Sequence, residues 1–363
     1  CAMKKLIAIF WGFQVFIGCS KSSDGEADVS EGKSNWTKTS YVDLSEAIAS
    51  FPNYDGIGIN DIAIQGNTII MAVGQDAEER FGAIYRSEDK GKTWNFIRML
   101  GCGVGNNLIS VAFPSPSTVY LLGDCFDAKL LKSEDGGQSF VKLDVPFGNV
   151  SPLHAPQPQP MEFISESKGF ILHLMTNDGG NTWEANEDLM QNGRILSFSF
   201  INTTTGFCNT ATAILKTEDS GSSWTVVHED PNEDFWNVYF VDDTIGFVSN
   251  NNTLLKTIDG GISWSPVLNA QILDISFASE EVGFAAGRNG IYKSTDQGTS
   301  WNINYSSNFI DFRESFSAVD TLRGFSSIEF DGLDFGIAGG HQNKPENFPN
   351  EKAYIAITTS LGE

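Results

Sequence analysis

The chain has little positive charge, little cysteine and little histidine. Its 363 residues include 23 lysines and arginines against 46 aspartates and glutamates, a formal net charge of −23 at pH 7. Nucleic acids are bound by basic surfaces, so this composition argues against a nucleic-acid ligand, and it argues equally against attraction to anionic lipid. The 4 histidines are dispersed, and the sequence shows no metal-binding spacing, phosphate loop or nucleophile elbow. We therefore predict no metal, no cofactor and no catalytic residues.

The sequence also lacks an apolar run long enough to span a membrane as a helix. Residues 3–19, MKKLIAIFWGFQVFIGC, have a basic start, a short apolar run and a small residue before Cys19. This order is typical of a secretory signal peptide, and Gly18-Cys19 resembles a lipoprotein cleavage junction. We predict a leader over residues 1–19, in which two residues precede Met3, then a lipidated Cys19 and an acidic tether over 20–34. The expected location is the outer membrane or cell surface of a bacterium, with a lipid anchor as the only membrane attachment.

A short polar pattern recurs along the rest of the chain. It is seen in YRSEDKGKTW (85–94), LKTEDSGSSW (215–224) and YKSTDQGTSW (292–301). Its aspartates lie about 40 residues apart, a period typical of stacked or radially arranged units. They are Asp89, Asp135, Asp178, Asp219, Asp259 and Asp296. A catalytic group is rarely needed six times, so we predict that each aspartate accepts backbone N–H bonds in a turn whose glycine adopts positive φ.

A second pattern lies between these copies. ISFASEEVGFAAG (275–287) and VYFVDDTIGFVSN (238–250) each alternate apolar residues up to a Phe, pass five residues, and resume at Gly-Phe. Period-two alternation bounded by Asn, Asp, Ser and Gly predicts four short strands in each unit, for example 272–277, 282–287, 290–295 and 299–304. No convincing helical period is present. Repeated four-stranded antiparallel units predict an all-β propeller.

The repeated S/T-x-D-x-G-x-S/T-W pattern resembles the Asp-box, or bacterial neuraminidase repeat. The longer stretch GFAAGRNGIYKSTDQGTSW is similar to propellers of the photosystem II stability and assembly factor type. The resemblance covers about residues 60–303 and implies a propeller fold. It is less informative about function, because the repeat is known from sialidases and glycanases as well as from binding proteins.

Seven blades are expected. SSIEFDGLDFGIAGG (326–340) and AYIAITTSLGE (353–363) resemble three strands of a seventh unit, with Ser360 in place of the aspartate. SNWTKTSYVDL (34–44) resembles an outer strand with no unit before it. We therefore predict a propeller over 35–363 in which 34–44 pairs with 353–359 and closes the last blade. The alternative is a truncated chain with a disordered N-terminus.

The connections of such a propeller lie on two faces. The links between blades and the loops between second and third strands form one face, here called the loop face, and the other turns form the turn face. Cys102 and Cys125 are both expected on the loop face of adjacent blades, as a disulfide or as two free buried thiols. Loops longer than about 12 residues are often functional and gather on this face, for example 305–325 and 341–352.

The sequence favours a monomeric, non-enzymatic binding propeller with a protein partner in the cell envelope, or a carbohydrate. The loop face near blades 6, 7 and 1 is the expected site. Its expected arginines are Arg80, Arg194, Arg288 and Arg313. In the assembly-factor family that the chain resembles, an arginine-bearing surface is implicated in partner binding. The alternative function is a glycoside hydrolase with its active site at the mouth of the central channel, which would need two carboxylates or a Tyr/Glu pair there.

Overall fold

Short alternating segments separated by Asp, Asn, Ser and Gly turns pair into small antiparallel sheets throughout the chain. The computed structural model describes residues 36–37, 42–43, 57–75, 82–100, 108–123, 130–146, 161–306, 324–342 and 352–359. Their sheets are the blades of a seven-bladed propeller, as the repeats predicted. All of these residues belong to one unit, Ser34–Glu363. The predicted leader and tether lie outside the described residues.

Blades 1 to 6 each contain four antiparallel strands in simple meander order. Blade 1 has β3 (Ile57–Gln65), β4 (Thr68–Gln75), β5 (Gly82–Ser87) and β6 (Asn95–Leu100). Blade 2 has β7 (Leu108–Ala112), β8 (Val119–Gly123), β9 (Leu130–Ser133) and β10 (Val141–Leu143). Blade 3 has β11 (Met161–Phe163), β12 (Gly169–Ile171), β13 (Leu174–Thr176) and β14 (Glu184–Ala185).

The next three blades repeat this order. Blade 4 has β15 (Ser197–Phe200), β16 (Gly206–Asn209), β17 (Ala213–Thr217) and β18 (Thr225–Glu229). Blade 5 has β19 (Asn237–Phe240), β20 (Gly246–Ser249), β21 (Leu254–Thr257) and β22 (Ser265–Leu268). Blade 6 has β23 (Ile272–Phe277), β24 (Gly283–Gly287), β25 (Gly290–Ser294) and β26 (Asn302–Ser306). The outer strand of blade 6 begins after the motif tryptophan, not before it as the sequence suggested.

Blade 7 is closed by the N-terminal segment. It contains β27 (Gly324–Asp331), β28 (Phe335–Gln342) and β29 (Lys352–Thr358), completed by β1 (Trp36–Thr37) and β2 (Val42–Asp43). Both short strands pair antiparallel with β29, Trp36 opposite Thr358 and Val42 opposite Ala353. The predicted pairing of 34–44 with 353–359 is confirmed. The end of β28 also pairs with the start of β3, so blades 7 and 1 share a continuous sheet.

The Phe and Gly-Phe repeat builds the contacts between blades. In blade 5 the ring of Phe240 lies against Gly246, its cross-strand partner, so closely that a Cβ on the glycine would be 2.5 Å from the ring. The same ring stacks on Phe207 of blade 4, with centroids 3.4 Å apart. Equivalent stacked pairs join other neighbouring blades: Tyr120–Phe163, Phe170–Phe200, Phe247–Phe277 and Phe284–Phe330. The glycine therefore leaves room for an aromatic ring that is shared by two blades.

The motif tryptophan and lysine complete this contact. Trp264 lies edge-on to Phe240 with centroids 6.1 Å apart, and its Nε1 donates to the carbonyl of Gly261 at 3.0 Å. On the other blade, Lys216 Nζ lies 5.7 Å from the centre of the Phe207 ring. A cation over the face of an aromatic ring is favourable, so the apolar and charged positions of the repeat both stabilise the seam between blades.

A short helix was not predicted. α1 (Glu187–Gln191) follows β14, begins at the N-cap Asn186, and buries Leu189. The Asn186 side chain accepts from the Leu189 N–H and also donates to the Gly221 carbonyl in blade 4. A helix of 5 residues is too short to show a periodic apolar pattern. Among the described residues no helix is long and apolar enough to cross a membrane.

Candidate functional site: the loop face and the central channel

Each motif aspartate is used within its own turn. In blade 5, Asp259 Oδ1 accepts from the Thr257 hydroxyl at 2.7 Å and from the Ser263 N–H at 2.9 Å. Asp259 Oδ2 accepts from the Ser263 hydroxyl at 2.5 Å, and the Gly261 N–H donates to Thr257 Oγ1 at 3.0 Å. The same set of bonds surrounds the other five aspartates, Asp89, Asp135, Asp178, Asp219 and Asp296.

These bonds favour the charged carboxylate. Hydrogen bonds from the Ser263 hydroxyl and N–H lower the pKa of Asp259 to about 2. Ser300 has the same effect on Asp296, whose pKa is also lowered to about 2. An ionised carboxylate whose oxygens already accept several hydrogen bonds is poorly suited to general acid chemistry. The hydrogen bonds that each aspartate accepts therefore stabilise the turn that contains it.

Backbone bonds join the two kinds of turn on one face. In blade 5 the Gly260 N–H donates to the Thr244 carbonyl at 3.0 Å, and in blade 3 the Gly179 N–H donates to the Ser167 carbonyl at 2.7 Å. Each bond links the turn after the third strand to the turn after the first strand of the same blade. The two turns of such a blade on the turn face are therefore joined by a backbone hydrogen bond. The described links between blades, such as 230–236, lie on the opposite face by strand order.

Two of the four predicted arginines lie in the described residues. Arg194 is exposed in the link between α1 and β15, and Arg288 is partly buried in the hairpin between β24 and β25. Both connections belong to the loop face by strand order, but they lie on different blades. The other two, Arg80 and Arg313, lie outside the described residues, as do Cys19, Cys102 and Cys125. The grouping of the arginines and the disulfide therefore stay predictions.

The sequence analysis missed a set of acids on the innermost strands. They are Asp61 on β3, Glu162 on β11, Asp274 on β23 and Glu329 on β27. Glu329 of blade 7 is repelled by Asp274 of blade 6, Asp61 of blade 1 and Glu162 of blade 3. The first strands of the blades surround the propeller axis, so these four acids lie along the central channel. The available signal was an acid inside an otherwise apolar inner strand, as in ILDISF (272–277).

Two of these acids bind the next blade. Asp61 accepts from the Ile62 N–H at 2.8 Å and from the Val111 N–H of blade 2 at 2.6 Å. Asp274 accepts from the Ile275 N–H at 2.8 Å and from the Ile328 N–H of blade 7 at 2.9 Å. The inner strands β3 and β7 do not pair with each other, nor do β23 and β27, so these carboxylates supply acceptors for N–H groups of the neighbouring blade.

The electrostatic environment of the channel favours the neutral acids. Burial raises the pKa of Glu162 to about 8 and that of Asp274 to about 7. Burial, then repulsion by Asp274, raises the pKa of Glu329 well above its ordinary value. Burial also raises the pKa of Asp61. In the described part of the chain, no group of His, Cys, Asp and Glu side chains is arranged to hold a metal ion.

The described residues define a β-propeller with hydrogen-bonded aspartate turns on one face and acids on the innermost strands of four blades. The structure of YCF48 bound to a D1 peptide is similar, with a TM-score of 0.60 and 16% identity over 90% of this chain and 97% of that one. YCF48 from Cyanidioschyzon merolae gives 0.59 and 15% over 90% and 98%. The extracellular domain of BT4673 from B. thetaiotaomicron gives 0.56 and 9%, over 84% of this chain and 38% of that one.

At these identities the similarity establishes a shared fold. No protein-family model matches the sequence, and no curated protein matches it.

Proposed function

We propose that this chain is a non-enzymatic binding propeller that captures a segment of a protein partner on its loop face, near blades 6, 7 and 1. The observation that carries the proposal is the similarity to YCF48 over nearly the whole of both chains, because one of those structures holds a D1 peptide. We further propose that the six capped turns are Asp-boxes with a structural role. Export, lipidation of Cys19 and a place in the bacterial envelope belong to the same proposal.

The two faces differ in how their charged side chains are used, and this difference supports the proposed function. The turn face uses its six aspartates and their hydroxyl partners in its own hydrogen bonds. By strand order Arg194 and Arg288 belong to the loop face, and the sequence predicts that the two long connections before β27 and after β28 lie there as well. Recognition residues usually lie on loops held by a rigid scaffold, which is the arrangement here.

The proposal can be tested by placing a photo-crosslinking amino acid at single positions in the native cell. Arg194 and Asn289 are exposed on the loop face, whereas Ile262 is 65% exposed on the turn face and serves as the matched control. We expect a discrete protein adduct from position 289, which lies in blade 6 near the proposed site, and none from position 194, which lies between blades 3 and 4, or from position 262. Adducts formed only from position 262 would show that the partner binds the turn face, which contradicts the proposal.

Charge reversal tests the arginines themselves. Arg288→Glu with Arg313→Glu should abolish the adduct formed at position 289. Lys92→Glu with Lys142→Glu changes the net charge equally at exposed positions away from the loop face and should leave the adduct unchanged. Equal loss in both double variants would mean that net charge, and not the loop face, controls capture.

Glycoside hydrolysis is the second candidate, and the channel favours it in one respect. A partly buried acid with a raised pKa, such as Glu162 or Glu329, is what a general acid needs. Incubation with sialoside and glucan substrates separates the two functions. Turnover by the natural chain that is lost in both Glu162→Gln and Glu329→Gln would replace the binding proposal, and we expect no turnover.

A further inference from the structure

We propose that polar side chains on the first strands of the blades form a hydrogen-bond relay around the central channel, which couples the opening of one seam between blades to the opening of the next. The relay runs from blade 4 through blades 5, 6, 7 and 1 to blade 2. Its members are Ser197, Asn237, Asp274, Ser327 and Asp61. It is a property of the fold and does not depend on the proposed function.

The relay residues occupy one recurrent position. In blades 4 to 7 each is the first residue of a four-residue stretch that ends in Phe, namely SFSF (197–200), NVYF (237–240), DISF (274–277) and SIEF (327–330). In blade 1, Asp61 follows a register shift in β3 like those in the first strands of blades 6 and 7. The residue type changes between Ser, Asn and Asp, so the position is repeated although the sequence pattern does not stand out.

The seams on either side of blade 5 show how successive bonds are connected. Ser197 Oγ of blade 4 accepts from the Val238 N–H of blade 5 at 2.8 Å. Asn237, the residue before Val238, donates from its Nδ2 to the Leu273 carbonyl of blade 6 at 3.2 Å. Leu273 in turn precedes Asp274, which makes the next bond. Each seam is therefore linked to the following one through residues that are adjacent in the chain.

The same arrangement continues through blades 6, 7, 1 and 2. Asp274 Oδ2 accepts from the Ile328 N–H of blade 7 at 2.9 Å. Ser327, the residue before Ile328, donates from its Oγ to Asp61 Oδ1 of blade 1 at 3.3 Å. Asp61 Oδ2 then accepts from the Val111 N–H of blade 2 at 2.6 Å. The relay therefore crosses every seam from blade 4 round to blade 2.

These bonds matter because the first strands of neighbouring blades do not pair with each other. The residues whose N–H groups are held by the relay, Val238, Ile328 and Val111, are all buried. A buried N–H that loses its acceptor is costly. Loss of one bond also frees the strand that carries the next bond, so we expect the effect to pass along the relay and not to stay at one seam.

The test is hydrogen exchange at single backbone amides, measured by NMR on the whole chain, in Asp274→Ala and Asp274→Asn. Both variants remove the carboxylate charge, but asparagine keeps an oxygen that can accept from the Ile328 N–H. In Asp274→Ala, exchange should rise roughly tenfold at Ile328 and at least about threefold at Val111, two seams away. Asp274→Asn should keep the rates of the natural chain within about twofold. Equal rises in the two variants would show that the charge matters and the bond does not, which contradicts the proposal.

Ser199→Ala is the matched control. Ser199 Oγ accepts from the Phe240 N–H at 2.8 Å across the seam between blades 4 and 5, but it stands outside the relay. Exchange in this variant should rise at Phe240 and stay unchanged at Ile328 and Val111. A rise at Val111 would mean that cutting any seam loosens the whole propeller, and the relay would have no special role.

Two further results in Asp274→Ala would overturn the proposal. A rise at Ile328 alone would mean that the bond acts only on its own seam. An equal rise at Asn186, whose N–H is bonded within blade 3, would mean general destabilisation. If Asp274→Ala does not fold, Ser327→Ala cuts the relay between blades 7 and 1 and keeps both carboxylates. Exchange at Val111 should then rise, and an unchanged rate there would overturn the proposal as well.

Discussion

The glycine that opens the second strand in blades 3 to 6 offers the sharpest test of how the blades are held together. In Gly246→Ala, the new Cβ would lie 2.5 to 2.7 Å from three ring atoms of Phe240. Ordinary contacts begin near 3.4 Å, so the ring must move by roughly 1 Å. Phe240 is held by stacking on Phe207 at 3.4 Å and by the edge of Trp264. Moving it disturbs the seam between blades 4 and 5.

Overpacking of this kind costs about 3 kcal/mol. That cost corresponds to a fall in melting temperature of roughly 4 °C, and the midpoint of urea unfolding, followed by tryptophan fluorescence, should fall with it. The control is Gly332→Ala, where a Cβ meets no atom within 4 Å but φ is +62°. The free energy of unfolding of this control variant should fall by only about 1 kcal/mol, because backbone strain is its sole penalty.

A double-mutant cycle isolates the clash. Phe240→Leu removes the ring and is destabilising alone, but it also makes room for the Cβ at position 246. The double variant should therefore be less destabilised than the sum of the single variants, by at least about 1 kcal/mol. Strict additivity would refute the view that the glycine is required by the ring.

Three further predictions concern the turns, the closure and the acid range. Asp259→Ala should cost about 1–2 kcal/mol because Ser263 loses its acceptor, and the exposed control Asp243→Ala should cost under about 0.5 kcal/mol; equal effects in urea unfolding would contradict the turn's role. Trp36→Ala should lose about 3–5 kcal/mol, since Trp36 is 5% exposed between Phe284 and Phe330; an unchanged midpoint would mean that closure adds no stability. The turn aspartates have lowered pKa values, so their stabilisation should be lost as the pH falls from about 4 to about 2; stability that rises in this range would contradict it.

The fold could be predicted from the sequence because its signals are local and repeated. The six aspartates fix the period, and the Phe and Gly-Phe pattern fixes two strands in each of blades 3 to 6. Closure could be predicted because 34–44 resembles an outer strand without a unit, and Trp36 does pair opposite Thr358. These arguments need only neighbouring residues and a count of units.

The channel could not be predicted in the same way. Glu162 and Glu329 each directly precede the Phe at or near the end of the first strand of the blade, but they are separated by four blades in sequence, and blades 4, 5 and 6 have Ser199, Tyr239 and Ser276 at this position. The proximity of the two glutamates depends on the circular arrangement of the blades. The short helix α1 was missed for a related reason, since it is an insertion that occurs in blade 3 without a repeated counterpart.

Hydrogen exchange of the propeller, with and without the partner recovered by cross-linking, tests the central claim most directly. Peptides covering the hairpin Gly287–Gly290 on the loop face should become protected from exchange when the partner is bound. Peptides covering the turn at 257–264 on the turn face should exchange at the same rate in both states. Protection confined to the turn face, or to the channel strands in the presence of a polysaccharide instead of a protein, would contradict the proposed function.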